Sequence, residues 1–244
     1  MPLKIGAAGH REPPLFSCKR KLILLCCCLL FTPFIAISYY QINFSIFHQQ
    51  MQARYGPERR LVAEQWETML HNLALLSEQE KLLRVNQFFQ QHLRYKSDLA
   101  LWGTEDYWAT PLETLGKGMG DCEDYAIAKY ASLRYAGISD QKLRLIYVRA
   151  RTGGEHSTQS VAHMVLGYYA GPDAEPLILD SLVSSVLPAS ERPDLAPVFS
   201  FNSEGLWAGH TGNQPAAASP VSRLSRWRDV LERMQQEGIV WQQR

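Results

Sequence analysis

Gly116-Lys-Gly-Met-Gly-Asp-Cys-Glu-Asp-Tyr-Ala-Ile-Ala-Lys-Tyr130 is the stretch from which the rest of this chain can be read. Gly116, Gly118 and Gly120 form a loop in which the backbone turns freely. Asp121 then opens a run of helical character carrying Tyr125, Ala126, Ala128, Lys129, Ala131 and Leu133. Cys122 falls in the first turn of that helix, where unpaired N–H groups and the helix dipole favour an anion. A thiol so placed ionises more readily, and the thiolate is the nucleophile. A small buried residue is the commoner role of a lone cysteine. Three flanking carboxylates, Asp121, Glu123 and Asp124, argue against an apolar burial site. They would also raise the thiol pKa, an obstacle that a bound cation would remove.

The length, 244 residues, accommodates one sizeable domain with a small appendage. The formal charge of +1 hides a polarity: Lys4, Arg11, Lys19, Arg20 and Lys21 face a single acid, Glu12, before residue 45, so the remainder is mildly acidic. With no basic tract and no interleaving of basic and aromatic residues in the body, nothing points to a nucleic-acid binder. Lys19-Arg-Lys21 precedes an apolar run from Leu22 to about Tyr40, a pattern of export signals and membrane anchors. A small-x-small cleavage site is missing and the run is long enough to span a bilayer, so an uncleaved anchor is preferred over a cleaved signal. Cys18, Cys26, Cys27 and Cys28 lie in or beside that segment, leaving Cys122 alone in the exported body. A lone thiol in an oxidising compartment has no partner for an intramolecular disulfide and is a candidate reactive group.

Pro57 at a helix N1 position and the apolar series Leu61, Val62, Trp66, Met69, Leu70 and Leu73 predict a first helix of the body. Ser77-Glu-Gln-Glu80 is a capping-box pattern for a second, carrying Leu82, Val85, Phe89 and Leu93 inward. Residues 97–115 lack a period and read as an aromatic loop over the start of the cysteine helix. After Gly137, a natural helix terminator, strand-like runs cover Leu143–Ala150, Ala162–Ala170 and Pro176–Leu182. The connections leave no room for crossover helices, so the strands form antiparallel hairpins. Residues 188–220 read as extended coil and residues 211–220 as a linker, before a last helix bearing Leu224, Trp227, Leu231 and Met234. Helices, then the cysteine helix, then strands, then a helix make an α+β fold.

Pairing the second and third strands about the Gly171–Pro172 turn sets His163 opposite Asp180. Cys122, His163 and Asp180 then make a nucleophile, a base and the carboxylate that orients it. His163 would take the thiol proton and return it to the leaving amine, while Asp180 holds the imidazole tautomer. A lone His in a strand is more often structural, but its pairing with an Asp and with a Cys at a helix start favours catalysis.

Gly120-Asp-Cys-Glu-Asp-Tyr125, Ala162-His-Met-Val-Leu166 and Ile178-Leu-Asp180 resemble the bacterial transglutaminase-like cysteine proteases of the LapG-like periplasmic group. Val85-Asn-Gln-Phe-Phe89, Trp102-Gly103, Asp106-Tyr-Trp-Ala-Thr-Pro111 and Phe201-Asn202 extend the resemblance over roughly residues 57–210. It implies a papain-like, transglutaminase-like α+β core in which the catalytic Cys at a helix N-terminus packs on a small antiparallel sheet. It further implies Cys122, His163 and Asp180 as the triad, and Ca²⁺ held by Asp121 and Glu123 with Asp124 as a third ligand. Hard oxygen donors suit calcium or magnesium and not zinc, whereas acids at a helix start also simply complement its dipole. The backbone N–H of Cys122 is a natural oxyanion donor, with Asn86 and the Trp102 region as candidates for a second.

The implied activity is a periplasmic endopeptidase that cuts the N-terminal region of a large repeat-containing surface adhesin at an Ala-Ala bond, releasing it and dispersing biofilm. The implied regulator is a LapD-like inner-membrane receptor for cyclic di-GMP. The corresponding division of the chain is a cytoplasmic tail (1–21), a signal or anchor segment (22–42), a tether (43–56), the protease domain (57–210), a linker (211–221) and a C-terminal helix (222–244). Two alternatives share the same residues: a transglutaminase-type acyl transferase, and a non-catalytic membrane-tethered binding module.

Overall fold

The computed structural model describes residues 39–154, 156–208 and 225–242. The cytoplasmic tail, the linker and all but the end of the apolar segment lie outside the described residues. Among those described, no helix is long and apolar enough to cross a membrane.

A short strand β1 (Tyr39–Ile42) leads into helices α1 (Phe44–Tyr55), α2 (Pro57–Asn72) and α3 (Glu78–His92). Gly56, at φ 83°, makes the bend between α1 and α2, and Pro57 starts α2 as its sequence position predicts. The capping box of α3 is present in full: Ser77 N–H donates to Glu80 Oε2 at 3.0 Å, and Ser77 Oγ accepts from Glu80 N–H. Then come β2 (Arg94–Tyr95), α4 (Asp98–Trp102), α5 (Pro111–Lys117), β3 (Met119–Gly120) and α6 (Cys122–Tyr135). Helix α6 is buried on nearly every side, and its alanines let it lie close against α3 and the sheet. Trp66 Nε1 donates to Ser132 Oγ at 2.9 Å, locking α2 to α6.

Behind α6 stands an antiparallel sheet of β4 (Leu143–Arg151), β5 (Ser160–Tyr168), β6 (Leu177–Leu179), β7 (Leu187–Pro188), β8 (Leu195–Phe201) and β9 (Leu206–Ala208), in the order β7-β6-β5-β4-β8-β9. Leu143, Leu145, Met164, Leu166 and Leu179 join α6 in the main core. The chain closes with α7 (Ser225–Gln236) and β10 (Ile239–Gln242), which pairs antiparallel with β1.

The structure corrects several sequence expectations. Residues 43–56 are no tether: Asn43 caps α1, and Phe47 and Met51 are wholly buried in the core. The aperiodic stretch 97–115 contains α4 and α5, the latter opened by a Thr110–Glu113 capping box with Pro111 at its first position. Gly116 belongs to α5, and Gly118, left-handed at φ 63°, ends it. Within the supposed coil 188–220, β8 pairs with β4 and β9 with β8. Finally, Leu166 pairs with Leu179, so extending the ladder sets Val165, not His163, opposite Asp180. The slip is two residues, which leaves both side chains on one face because strand side chains alternate.

Candidate active site

Cys122 is the first residue of α6, and the segment before it is fixed from both sides. Lys96 N–H donates to Gly120 O at 2.9 Å and Arg94 N–H to Gly118 O at 3.1 Å. Gly120 has no alternative, since a Cβ there would come 2.7 Å from Asp124 Cβ. The Cys122 thiol is nearly buried and donates to Glu123 Oε2 at 2.8 Å, while the Met164 N–H of β5 faces the sulfur. Burial, then Glu123 and Asp121, push the thiol well up, and the Met164 N–H offsets only part of this.

His163 sits beside Met164 on β5, and Asp180 follows the last residue of β6; both are buried. His163 Nε2 and Asp180 Oδ1 are 2.8 Å apart. A carboxylate partner fixes Nε2–H as the donor and leaves Nδ1 as the acceptor. Asp180 Oδ1 also accepts from Leu182 N–H at 3.0 Å, and Oδ2 accepts from Arg192 Nη2 at 2.8 Å. Burial opposes ionisation of Asp180, but His163, Leu182 N–H and Arg192 together outweigh it and hold the carboxyl well below the usual range. Its carbonyl is gripped by Lys129 Nζ at 2.7 Å and Gln90 Nε2 at 2.9 Å. His163 is thus bonded to Asp180, and its chain neighbour Met164 lies against the Cys122 sulfur. Gln90, Lys129 and Arg192 were missed in the sequence, where only Lys129, a cation two turns beyond Cys122 in an apolar helix, offered a signal.

Next to the thiol lies an acidic cluster. Ligand atoms of Asp121, Cys122 and Glu123 lie within 4.8 Å of one another, as do those of Asp98, Asp121 and Asp124, and those of Asp98, Asp106 and Glu123. Tyr107 N–H donates to Asp98 Oδ2 at 2.6 Å and Ala109 N–H to Asp124 Oδ1 at 2.8 Å. Oδ1 of Asp98 and Oδ1 of Asp121 are buried with no hydrogen-bond partner. Burial and then the neighbouring carboxylates push Asp121 up to about 9. Burial chiefly, with Glu123 and Asp106 adding to it, takes Asp98 to about 6. Asp124 is likewise raised well above its ordinary value by burial. Hard oxygens, two of them orphaned, fit a divalent cation of the calcium type. Asp121 lies with Glu123 in one of these groups and with Asp124 in another, and Asp124 also accepts from Ala109 N–H and Asp121 N–H. Asp98 and Asp106 enter from α4 and the loop that follows. Their sequence distance from Asp121 concealed them.

Asn86, an expected oxyanion donor, gives one N–H of its Nδ2 to Ser184 O at 2.6 Å. Trp102 Nε1 is buried without a hydrogen-bond partner, and Lys117 Nζ lies 4.7 Å from the Trp102 ring centre.

A cysteine at a helix start, against a histidine-bearing strand in an α+β frame, is the arrangement of transglutaminase-like thiol enzymes. Residues 48–192 match the family of bacterial transglutaminase-like cysteine proteinases (BTLCP), and the chain belongs to that family. Among solved structures, Legionella pneumophila LapG matches at 37% identity and a TM-score of 0.67, over 80% of this chain and 99% of that one. EGTA-treated LapG from the same organism gives 37% and 0.69, over 80% and 100%. Its calcium-bound form gives 37% and 0.67, over 79% and 99%. The search of curated proteins finds no match.

Proposed function

We propose that this chain is a LapG-like, calcium-dependent cysteine endopeptidase that uses Cys122, His163 and Asp180. The observation carrying the proposal is the buried His163–Asp180 bond of 2.8 Å on the strand whose next N–H faces the Cys122 sulfur. His163 Nδ1 takes the thiol proton, and the sulfur attacks the scissile carbonyl carbon. The backbone N–H of Cys122, unpaired at the head of α6, donates to the resulting oxyanion. The imidazolium, stabilised by Asp180, then protonates the leaving amine. Water, deprotonated by the same imidazole, releases the acyl group from the thioester. Asp98, Asp121, Glu123 and Asp124 would hold a calcium ion, whose charge offsets theirs beside the thiol. The existence of calcium-bound and EGTA-treated structures of a 37% identical relative supports this reading.

The proposed substrate is the N-terminal region of a large surface adhesin, cut at an Ala-Ala bond in the periplasm to release the adhesin and disperse biofilm. A LapD-like inner-membrane receptor for cyclic di-GMP is the proposed regulator. Residues 22–40 serve as a cleaved signal or an inner-membrane tether. Family membership and the likeness to LapG support these assignments.

The test incubates the protein with an N-terminal fragment of the adhesin in calcium, in EGTA and as the Cys122→Ala variant, with products read by mass spectrometry. A single cut, lost with EGTA and with Cys122→Ala, is expected. An uncut fragment that gains mass when an amine is added would replace proteolysis by acyl transfer.

A further inference from the structure

Strand β5 outruns its neighbour on one side. Residues Ser160–Tyr168 pair with β4 along their whole length, whereas β6 pairs only with Leu166, Gly167 and Tyr168. The N–H and C=O of one strand residue point to the same side, and successive residues alternate. Tyr169 N–H donates to Lys142 O on the β4 side. The backbone groups of Met164, Ala162 and Ser160 therefore face the other edge, the one β6 has left. Among the described residues no strand returns to pair with it. After Leu179 the Asp180 carbonyl is drawn to Lys129 and Gln90, and the Ser184 carbonyl to Asn86, carrying this segment off towards α3 and α6. The Met164 N–H on the vacated edge faces the Cys122 sulfur. Ser160, Val161 and Ala162 are exposed, and among the described residues no strand pairs with them on this side.

We infer that the substrate polypeptide adds to this edge as an extended strand, exchanging backbone hydrogen bonds with Ala162, so that its scissile carbonyl arrives at Cys122 beside Met164. The inference rests on the peptidase reading and gives that site its mode of substrate recognition. An open strand edge offers N–H and C=O groups that only another extended backbone satisfies. The edge leads directly to the nucleophile and stops at the head of α6, leaving room for a few residues of a passing chain. A second copy of the protein would find too short a ladder for stable pairing. Recognition through the backbone selects unfolded, extended stretches with an available N–H, and excludes helices and a proline at the paired position.

The experiment compares wild type with Ala162→Pro, which deletes the outward N–H at a position where an edge strand tolerates proline. With the adhesin fragment in calcium, kcat/KM is expected to fall about tenfold or more, the scale of a buried hydrogen-bond group left unmatched. The alkylation rate of Cys122 by iodoacetamide and the melting temperature serve as controls for an intact site. As a second measurement, hydrogen exchange at the Ala162 amide is followed in Cys122→Ala protein with and without the fragment, and slowing on binding is expected. Cleavage by Ala162→Pro at the wild-type rate, or an Ala162 amide that exchanges equally fast with fragment bound, overturns the inference and leaves the peptidase standing. A wild-type protein that leaves the fragment whole overturns both. A dimer whose formation alone protects the amide assigns the edge to a second copy and overturns the substrate reading.

Discussion

The carboxylate bonded to His163 and the carboxylates around the Cys122 thiol are built on opposite principles. Asp180 is enclosed by donors: His163 and Leu182 N–H on one oxygen, Arg192 on the other. Asp98 and Asp124 accept only neutral backbone N–H groups and lie beside further carboxylates, with an orphaned oxygen on Asp98 and on Asp121. The first group holds a charge that the fold itself balances. In the second, the described residues supply no ion-pair partner to Asp98, Asp121, Glu123 or Asp124; only Asp106 has one, Arg226 at 2.9 Å. A burial cost of this kind persists where an external cation balances it. The charge on Asp180 is balanced by the protein's own groups, whereas that of Asp98, Asp121, Glu123 and Asp124 beside Cys122 is not balanced by any described residue.

The largest expected effect on this contrast comes from Asp180→Asn. The amide keeps the shape but turns the imidazole tautomer and removes the stabilising charge, so kcat/KM should fall about a thousandfold or more with the fold retained. A loss below tenfold would show that Asp180 is not the orienter.

Next come two substitutions of opposite sign. Arg192→Met strips a buried carboxylate of its cation and should lower unfolding free energy by about 3–5 kcal/mol, calcium present or not. Asp98→Asn removes one like charge and should raise stability in EGTA by about 1 kcal/mol while weakening the stabilisation given by calcium. Urea unfolding with calcium and with EGTA reads both. If Asp98→Asn destabilises the protein equally in the two conditions, the cluster is no cation site.

A last test, confined to one pH window, concerns the support behind Asp180. Burial depresses the Lys129 ammonium to about 7, against its ordinary range above 10 in the unfolded chain, with Asp180 opposing the shift. Between those values the unfolded chain binds the extra proton, so stability rises with pH over that window and is lost as pH falls to about 7. Lys129→Met should abolish the rising limb, a few kcal/mol at most. A wild type and variant with parallel stability–pH curves from pH 7 to 10 would refute the assignment.

Much of this was legible along the chain because it is short-range. Ser77 and Glu80 are a turn apart and cap α3 whatever surrounds them, and Asp121-Cys122 reads as a helix start from the glycines before it and the alanines after. The Thr110–Glu113 box of α5 was equally legible and went unread, hidden among the aromatic residues around it. Strand β8 escaped because Pro197 interrupts its pattern, and the β4–β8 ladder shifts register at that point.

The sequence by itself determined the helix that presents Cys122, the face shared by His163 and Asp180, and the family. These follow from capping, from alternation and from motifs a few residues long. Only the tertiary structure decided the two-residue register of β5 against β6, since such a slip leaves every side chain on its own face and the local pattern cannot oppose it. Only the tertiary structure brought Asp98 to Asp121, Arg192 and Lys129 to Asp180, and left the edge of β5 open beside the sulfur. Contacts between distant residues depend on how whole elements pack, and no local propensity encodes them.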